Sequence, residues 1–150
     1  MAGGSGIAAS TCEFFDCVRN KWTTVAPLNT QRKHARAAAF ADTVFIFGGS
    51  NSRNPNRHLG DVEQYDHATN KWTVLGDRLS TARYNFAAAC VDGRIYIVGG
   101  ETKNTFLSSV ECFDPVEKRF SHVSPFSKPN CGLAAASVFV SASVLKRLFE

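Results

Sequence analysis

The sequence predicts an all-β protein assembled from repeated, strand-built units. Three observations predict it. First, the pattern Glu-x-aromatic-Asp followed by a short second strand occurs three times, as EFFDCVRNKWTTV at 13–25, EQYDHATNKWTVL at 63–75 and ECFDPVEKRFSHV at 111–123. Second, β-branched and aromatic runs that end in a glycine pair occur twice, as VFIFGG at 44–49 and IYIVGG at 95–100. Third, the 150 residues include 12 Phe, 3 Tyr and 2 Trp, a supply of side chains that favours strands over helices. Repeats at a fixed period decide the architecture before any local reading does. Here Glu13, Glu63 and Glu111 are 50 and 48 residues apart, and Asp16, Asp66 and Asp114 keep the same offsets.

The elements of one unit follow in order. The apolar runs ARAAAF at 35–40 and NFAAAC at 85–90 have strand length. The runs VFIF and IYIV come next and stop at Gly-Gly, where the chain turns with dihedrals other residues resist. DVEQYD alternates, with Val62, Gln64 and Asp66 on one side and Glu63 and Tyr65 on the other, and KWTVL is a fourth strand. Asn-Lys before each Trp, Asp42, and Asp92-Gly93 are turn signals. Four short strands in about 50 residues are the signature of a β-propeller blade. The alanine-rich strand is then expected innermost, where blades crowd the axis, and the aromatic positions are expected between blades.

Composition sets outer bounds. Apolar residues make up 44% and charged residues 20%, which excludes a disordered chain. The 17 basic and 13 acidic residues leave a charge of +4, too mild and too spread for a nucleic-acid domain. The five cysteines are odd in number and include no C-x-x-C, which argues against a disulfide framework. The start, MAGGSGIAAS, lacks a basic and a long apolar region, and the apolar stretch 132–145 is interrupted by Ser137, Ser141 and Ser143. About 20 apolar residues are needed to span a bilayer, so neither a leader nor a membrane span is predicted. The expectation is a soluble, cytoplasmic protein, with a cytoskeletal or nuclear location as the alternatives.

With the repeat in place, the chain resembles the kelch repeat, and specifically the kelch domain of BTB-kelch proteins. The resemblance rests on Gly48-Gly49 and Gly99-Gly100, on Tyr65-Asp66 and Phe113-Asp114, on Trp22 and Trp72, and on Arg32 and Arg83 before the inner strands. It implies an incomplete kelch β-propeller: two whole four-stranded blades at 30–75 and 81–123, the outer half of a preceding blade at 12–25, and the inner strand of a following one at 132–140. Residues 1–140 would belong to it. The tail 141–150 diverges and never reaches a third glycine pair, and a short capping helix is the alternative reading there. Propellers close with about four to eight blades. The expectation is therefore a piece, or an alternative product, of a longer chain, or an open propeller completed by self-association at its blade edges. BTB and linker segments do not occur in it.

Chemistry is sought next. His34, His58, His67 and His122 are scattered, with no H-x-x-x-H, no nucleophile elbow and no phosphate loop. The repeated acids look structural, bonding backbone or the arginine of a neighbouring blade. Cys90 and Cys112 sit in apolar strands as small hydrophobes. No enzyme, metal site or cofactor is predicted.

Binding is expected on the loops, which vary over a rigid frame. The resemblance implies a partner-binding basin lined by residues after each glycine pair and before each inner strand. By position these are Ser50, Asn51, Arg53, Glu101, Thr102 and Lys103, with Arg32, His34, Arg83 and Asn85. Arg57 belongs to the same loop as Arg53. Arg32 and Arg83 have a second reading, as buried supports for the repeated acids. The basic cluster suggests an acidic protein or peptide partner, because guanidinium forks bind carboxylates in pairs. The resemblance implies substrate recognition for a cullin-RING ubiquitin ligase, with cullin contacted only through the missing BTB region. Its alternative is an actin- or cytoskeleton-binding role.

Overall fold

In the computed structural model the described residues are 10–137 except Ser52 and Pro55. They contain eleven strands and no helix, arranged in three antiparallel sheets. The first is a hairpin of β1 (Cys12–Asp16) and β2 (Lys21–Val25), with Phe15 opposite Trp22. The second holds β3 (Arg32–Lys33), β4 (Arg36–Phe40), β5 (Thr43–Asn51), β6 (His58–Asp66) and β7 (Lys71–Arg78). β3 and β4 share one side of β5, so the sheet is a four-layered blade whose inner strand is broken at His34. The third runs from the inside outward as β8 (Ala87–Val91), β9 (Arg94–Val98), β10 (Val110–Asp114) and β11 (Arg119–Val123). The chain is thus half a blade followed by two whole blades. The alanine-rich strands β4 and β8 lie side by side at the inner edge, as the crowding argument requires.

Each outer hairpin turns the same way. Asp16, Asp66 and Asp114 accept backbone N–H bonds from the residues two or three positions ahead. Asn20, Asn70 and Lys118 then take left-handed backbone at φ 51°, 50° and 56°. The recurring aspartate is a turn cap, and hydrogen bonds hold the three carboxyls below their ordinary pKa, led by the Arg19 and Glu117 N–H groups at Asp16 and Asp114 and by the Thr69 hydroxyl at Asp66.

Two apolar cores sit between sheets. Phe45, Phe47 and Val62 of the first whole blade meet Ile95, Ile97 and Phe113 of the second. Phe113 presents its edge to both Phe45 and Phe47, with centroids 5.4 and 5.3 Å apart. The smaller core joins Cys12 and Leu28 to Ile46 and Trp72. Trp72 is 9% exposed and donates its indole N–H to the Ala26 carbonyl at 3.0 Å. The aromatic pair of each whole blade therefore faces the sheet before it. The equivalent pair of the half-blade, Phe15 and Trp22, has no earlier sheet among the described residues, and Trp22 is 49% exposed.

The inner strand expected at 132–140 is not formed over 132–137, and 138–140 lie outside the described residues, as do Gly3-Gly4 and the tail. The reason is local. β4 and β8 each gain their ladder from the second strand of their own blade, and no described residue after 132 supplies one.

Candidate functional site

The entrance loops, which lead from one sheet into the next inner strand, are joined by a repeated bonding scheme. Gly49 N–H donates to the Arg83 carbonyl at 2.8 Å, and Gly100 N–H to that of Asn130 at 2.9 Å. Asn85 N–H donates to the His34 carbonyl, and Gly132 N–H to that of Asn85. His34, Asn85 and Gly132 all have left-handed backbone, at φ 55°, 53° and 66°. The glycine pairs are needed because the next loop lies against them. A Cβ on Gly48 would sit 2.8 Å from the Arg83 carbonyl oxygen, and one on Gly99 2.8 Å from that of Asn130.

The repeated acid and arginine lock this scheme from below. Arg32 donates to Glu63 at 2.5 Å, to Asp61 at 2.7 Å and to the Gly48 carbonyl at 2.9 Å. Arg83 donates to Glu111 at 2.6 Å, to the Ser109 hydroxyl at 3.0 Å and to the Gly99 carbonyl at 3.0 Å. The second oxygen of Glu63 accepts the Asn29 N–H, and that of Glu111 accepts the Ser80 N–H. Each acid thus binds the arginine of its own blade's entrance loop, not that of a neighbour. Both arginines are fully buried. Burial lowers the Arg83 pKa and Glu111 opposes that shift.

This geometry corrects three of the sequence-derived contacts. Arg32 and Arg83 cannot reach a partner, because their guanidinium groups are enclosed by backbone and carboxylate. Ser50 is 3% exposed, in the stretch of β5 paired on both sides by β3 and β6.

Of the remaining eight residues, Asn51 ends β5 and the other seven lie in the connections between strands. His34, Arg53, Arg57 and Lys103 are exposed, while Asn51, Asn85, Glu101 and Thr102 are half-buried. Asn51 caps its own loop by accepting the N–H groups of Arg53 and Asn54. Arg53 donates its Nε–H to Gln31 at 3.0 Å, beside a polar cavity of about 310 Å³ between Asn51 and Asn29. Among the described residues neither Arg53 nor Arg57 forms an ion pair. Asn85 donates its amide to Glu101 at 2.7 Å.

Sequence reasoning missed Tyr84. Its ring stacks on His58 at 4.8 Å and 8°, with His34 6.2 Å away. The structure thereby gathers two histidines 24 positions apart around one tyrosine. Burial, with the Glu101 carboxylate second, raises the Tyr84 phenol pKa. The one signal available was position, since Tyr84 lies between Arg83 and Asn85. Among the described residues no three His, Cys, Asp or Glu side chains gather closely enough to hold a metal ion, and no helix is long and apolar enough to cross a membrane.

Comparison with known proteins agrees with this architecture. The chain is 30% identical over 122 residues to alpha-scruin of Limulus polyphemus, covering 78% of this chain and 13% of that protein. It is 31% identical over 128 residues to an F-box/kelch-repeat protein of Arabidopsis thaliana, covering 83% and 34%. It is 24% identical over 129 residues to Kelch-like protein 23 of Homo sapiens, covering 85% and 22%. The chain therefore spans about a third or less of these curated relatives. The solved structure of YjhT superposes with a TM-score of 0.67 at 19% identity, covering 82% of this chain and 47% of that one, which is a likeness of fold. The family described as the KLHDC2/KLHL20/DRC7 Kelch-repeats domain matches residues 3–148. That match spans nearly the whole chain, and the chain belongs to this kelch-repeat family.

Proposed function

We propose that this chain is the substrate-recognition part of a ubiquitin-ligase adaptor, and that it holds an acidic protein segment on the rim formed by its entrance loops and the loop 50–57. Residues 1–140 are its propeller portion, and the cullin contact belongs to segments outside it. The observation that carries the reading is the pair Arg53 and Arg57, exposed on one capped loop and in no ion pair among the described residues. A guanidinium so placed is free to form charge-assisted bonds with an incoming carboxylate. The kinship with an F-box/kelch-repeat protein and with kelch-like proteins supports a recognition role.

The test is fluorescence anisotropy of the 150-residue chain with a labelled peptide carrying a block of glutamates. Binding that weakens with salt, and that is lost in Arg53→Glu/Arg57→Glu, is expected. Unchanged binding by the double variant would remove the rim from the proposal. Co-sedimentation with filamentous actin, unaffected by the same reversal, would favour the cytoskeletal alternative.

A further inference from the structure

The rim is not uniformly basic. The residue after the first glycine pair is the buried Ser50, whereas the residue after the second is Glu101, which is half-buried. Glu101 sits on a rigid base. Its N–H donates to the Tyr84 carbonyl at 2.9 Å, and Tyr84 N–H returns the bond at 3.1 Å. Phe106 bridges it from the other side, and Leu107 N–H donates to the Gly100 carbonyl. Tyr84 is itself pinned by the stacked His58 ring. The carboxylate is oriented by a neutral group, the Asn85 amide on Oε1, while Oε2 has no partner among the described residues. Lys103, two positions on, forms no ion pair with it. A carboxylate steered by an amide and left unneutralised is an acceptor prepared for an incoming donor.

Arg53 bonds Gln31 of the first entrance loop, Glu101 is bonded by Asn85 of the second, and the Asn85 N–H bond to the His34 carbonyl makes these two loops adjacent, so a segment lying across them meets both characters. The Arg53–Arg57 loop accepts negative charge at the first station, and Glu101 repels it at the second. From this we infer that Glu101 is a specificity residue: the rim selects segments of mixed charge, in which a lysine or arginine lies close to the acidic residues, over segments that are acidic throughout. The inference rests on the rim reading above, and it adds the discrimination that the arginines alone do not give.

Two labelled probes test it. One carries a block of glutamates, and the other the same block followed by a pair of lysines. The chain is expected to bind the mixed probe about tenfold more tightly, the preference one good charge-assisted bond supplies. Glu101→Gln keeps the acceptor for Asn85 and removes the charge. It should bring the two affinities together, weakening the mixed probe and strengthening the glutamate block as the repulsion is lost, while leaving the thermal midpoint in place. Glu101→Lys should invert the preference. Equal binding of both probes by the unaltered chain, or a preference that survives in Glu101→Gln, would overturn the role of Glu101 and leave the rim standing. Loss of both probes in Arg53→Glu/Arg57→Glu supports the rim independently. Binding of neither probe by the unaltered chain would overturn both.

Discussion

The two whole blades solve one problem with slightly different parts. Each must tie its third strand, its glycine pair and its entrance loop to one buried point. Arg32 does this between two carboxylates, Glu63 and the quarter-exposed Asp61, and its Nε–H has no partner among the described residues. Arg83 does it with one carboxylate and a hydroxyl, Glu111 and Ser109, and its Nε–H donates to the Thr81 carbonyl at 3.2 Å. The bonds they share are those to the glutamate and to two backbone carbonyls, that of the first glycine of the pair and that of Asp61 or Ser109; they differ in the side chain of this last residue. The difference teaches that the arginine–glutamate bond is the fixed requirement, while the remaining contact tolerates a charge or a neutral oxygen. A buried pair does not have to stabilise more than an apolar pair would, but losing one partner leaves an uncompensated charge. At the third station Asn130 stands where the arginine would be, and there the tie to Gly100 is made by its backbone alone.

Several substitutions break or sharpen this comparison. The largest effect is expected from removing an arginine. Arg83→Leu should cost about 3–5 kcal/mol in urea unfolding, and Arg32→Leu should cost more, since it strands two acids instead of one. Adding Asp61→Ser to Arg32→Leu should bring its cost down to that of Arg83→Leu; a double-mutant cycle showing no coupling would mean that Asp61 contributes nothing. Asp61→Ser alone, which copies the second blade into the first, should cost less than about 1 kcal/mol because the carboxylate is partly solvated.

The outer turns supply the control, being alike in all three sheets. Asp16, Asp66 and Asp114 have pKa values lowered by hydrogen bonds to their turns. A carboxyl depressed in the folded state contributes stability that is present above its unfolded value of about 3.9 and is lost as pH falls through the folded value. Acid unfolding should therefore steepen below about pH 4, and Asp66→Ala should flatten that slope as well as lower the plateau. The smallest effect belongs to the inner turns. The first whole blade places Ala41 at φ 48°, where the second uses Asp92-Gly93 at 47° and 76°. Ala41→Asn should raise stability by less than about 1 kcal/mol, because asparagine tolerates left-handed backbone better than alanine. A loss on that substitution would show that Ala41 packs in a way its dihedral does not reveal.

Much of this was legible beforehand, for identifiable reasons. Strand positions and turns follow from alternation, β-branched runs and turn residues, all of them local. The recurrence of Glu63 and Glu111 marked them as structural, but which arginine each would bind was not legible. Glu63 and Arg32 are 31 positions apart, whereas Arg83 of the neighbouring blade is nearer in sequence, so distance along the chain points to the wrong partner. Ser50 looked like a rim residue because it follows a glycine pair, whereas the ladder on both sides of β5 encloses it. The stack of Tyr84 on His58 joins an entrance loop to β6 and left no periodic trace.

By itself, then, the sequence determined the blade: four short strands, a glycine pair and an aspartate-capped turn, each set by side chains acting within a few residues of one another. It also determined that blades must stack, since the aromatic faces outnumber what one sheet can bury. The tertiary structure alone decided which charges are structural and which are available. Burial of Arg32 and Arg83 and exposure of Arg53 and Arg57 depend on neighbouring loops brought together from distant positions. Solvation of a charge is a property of everything around it, and a residue's own neighbours in sequence supply only part of that surrounding.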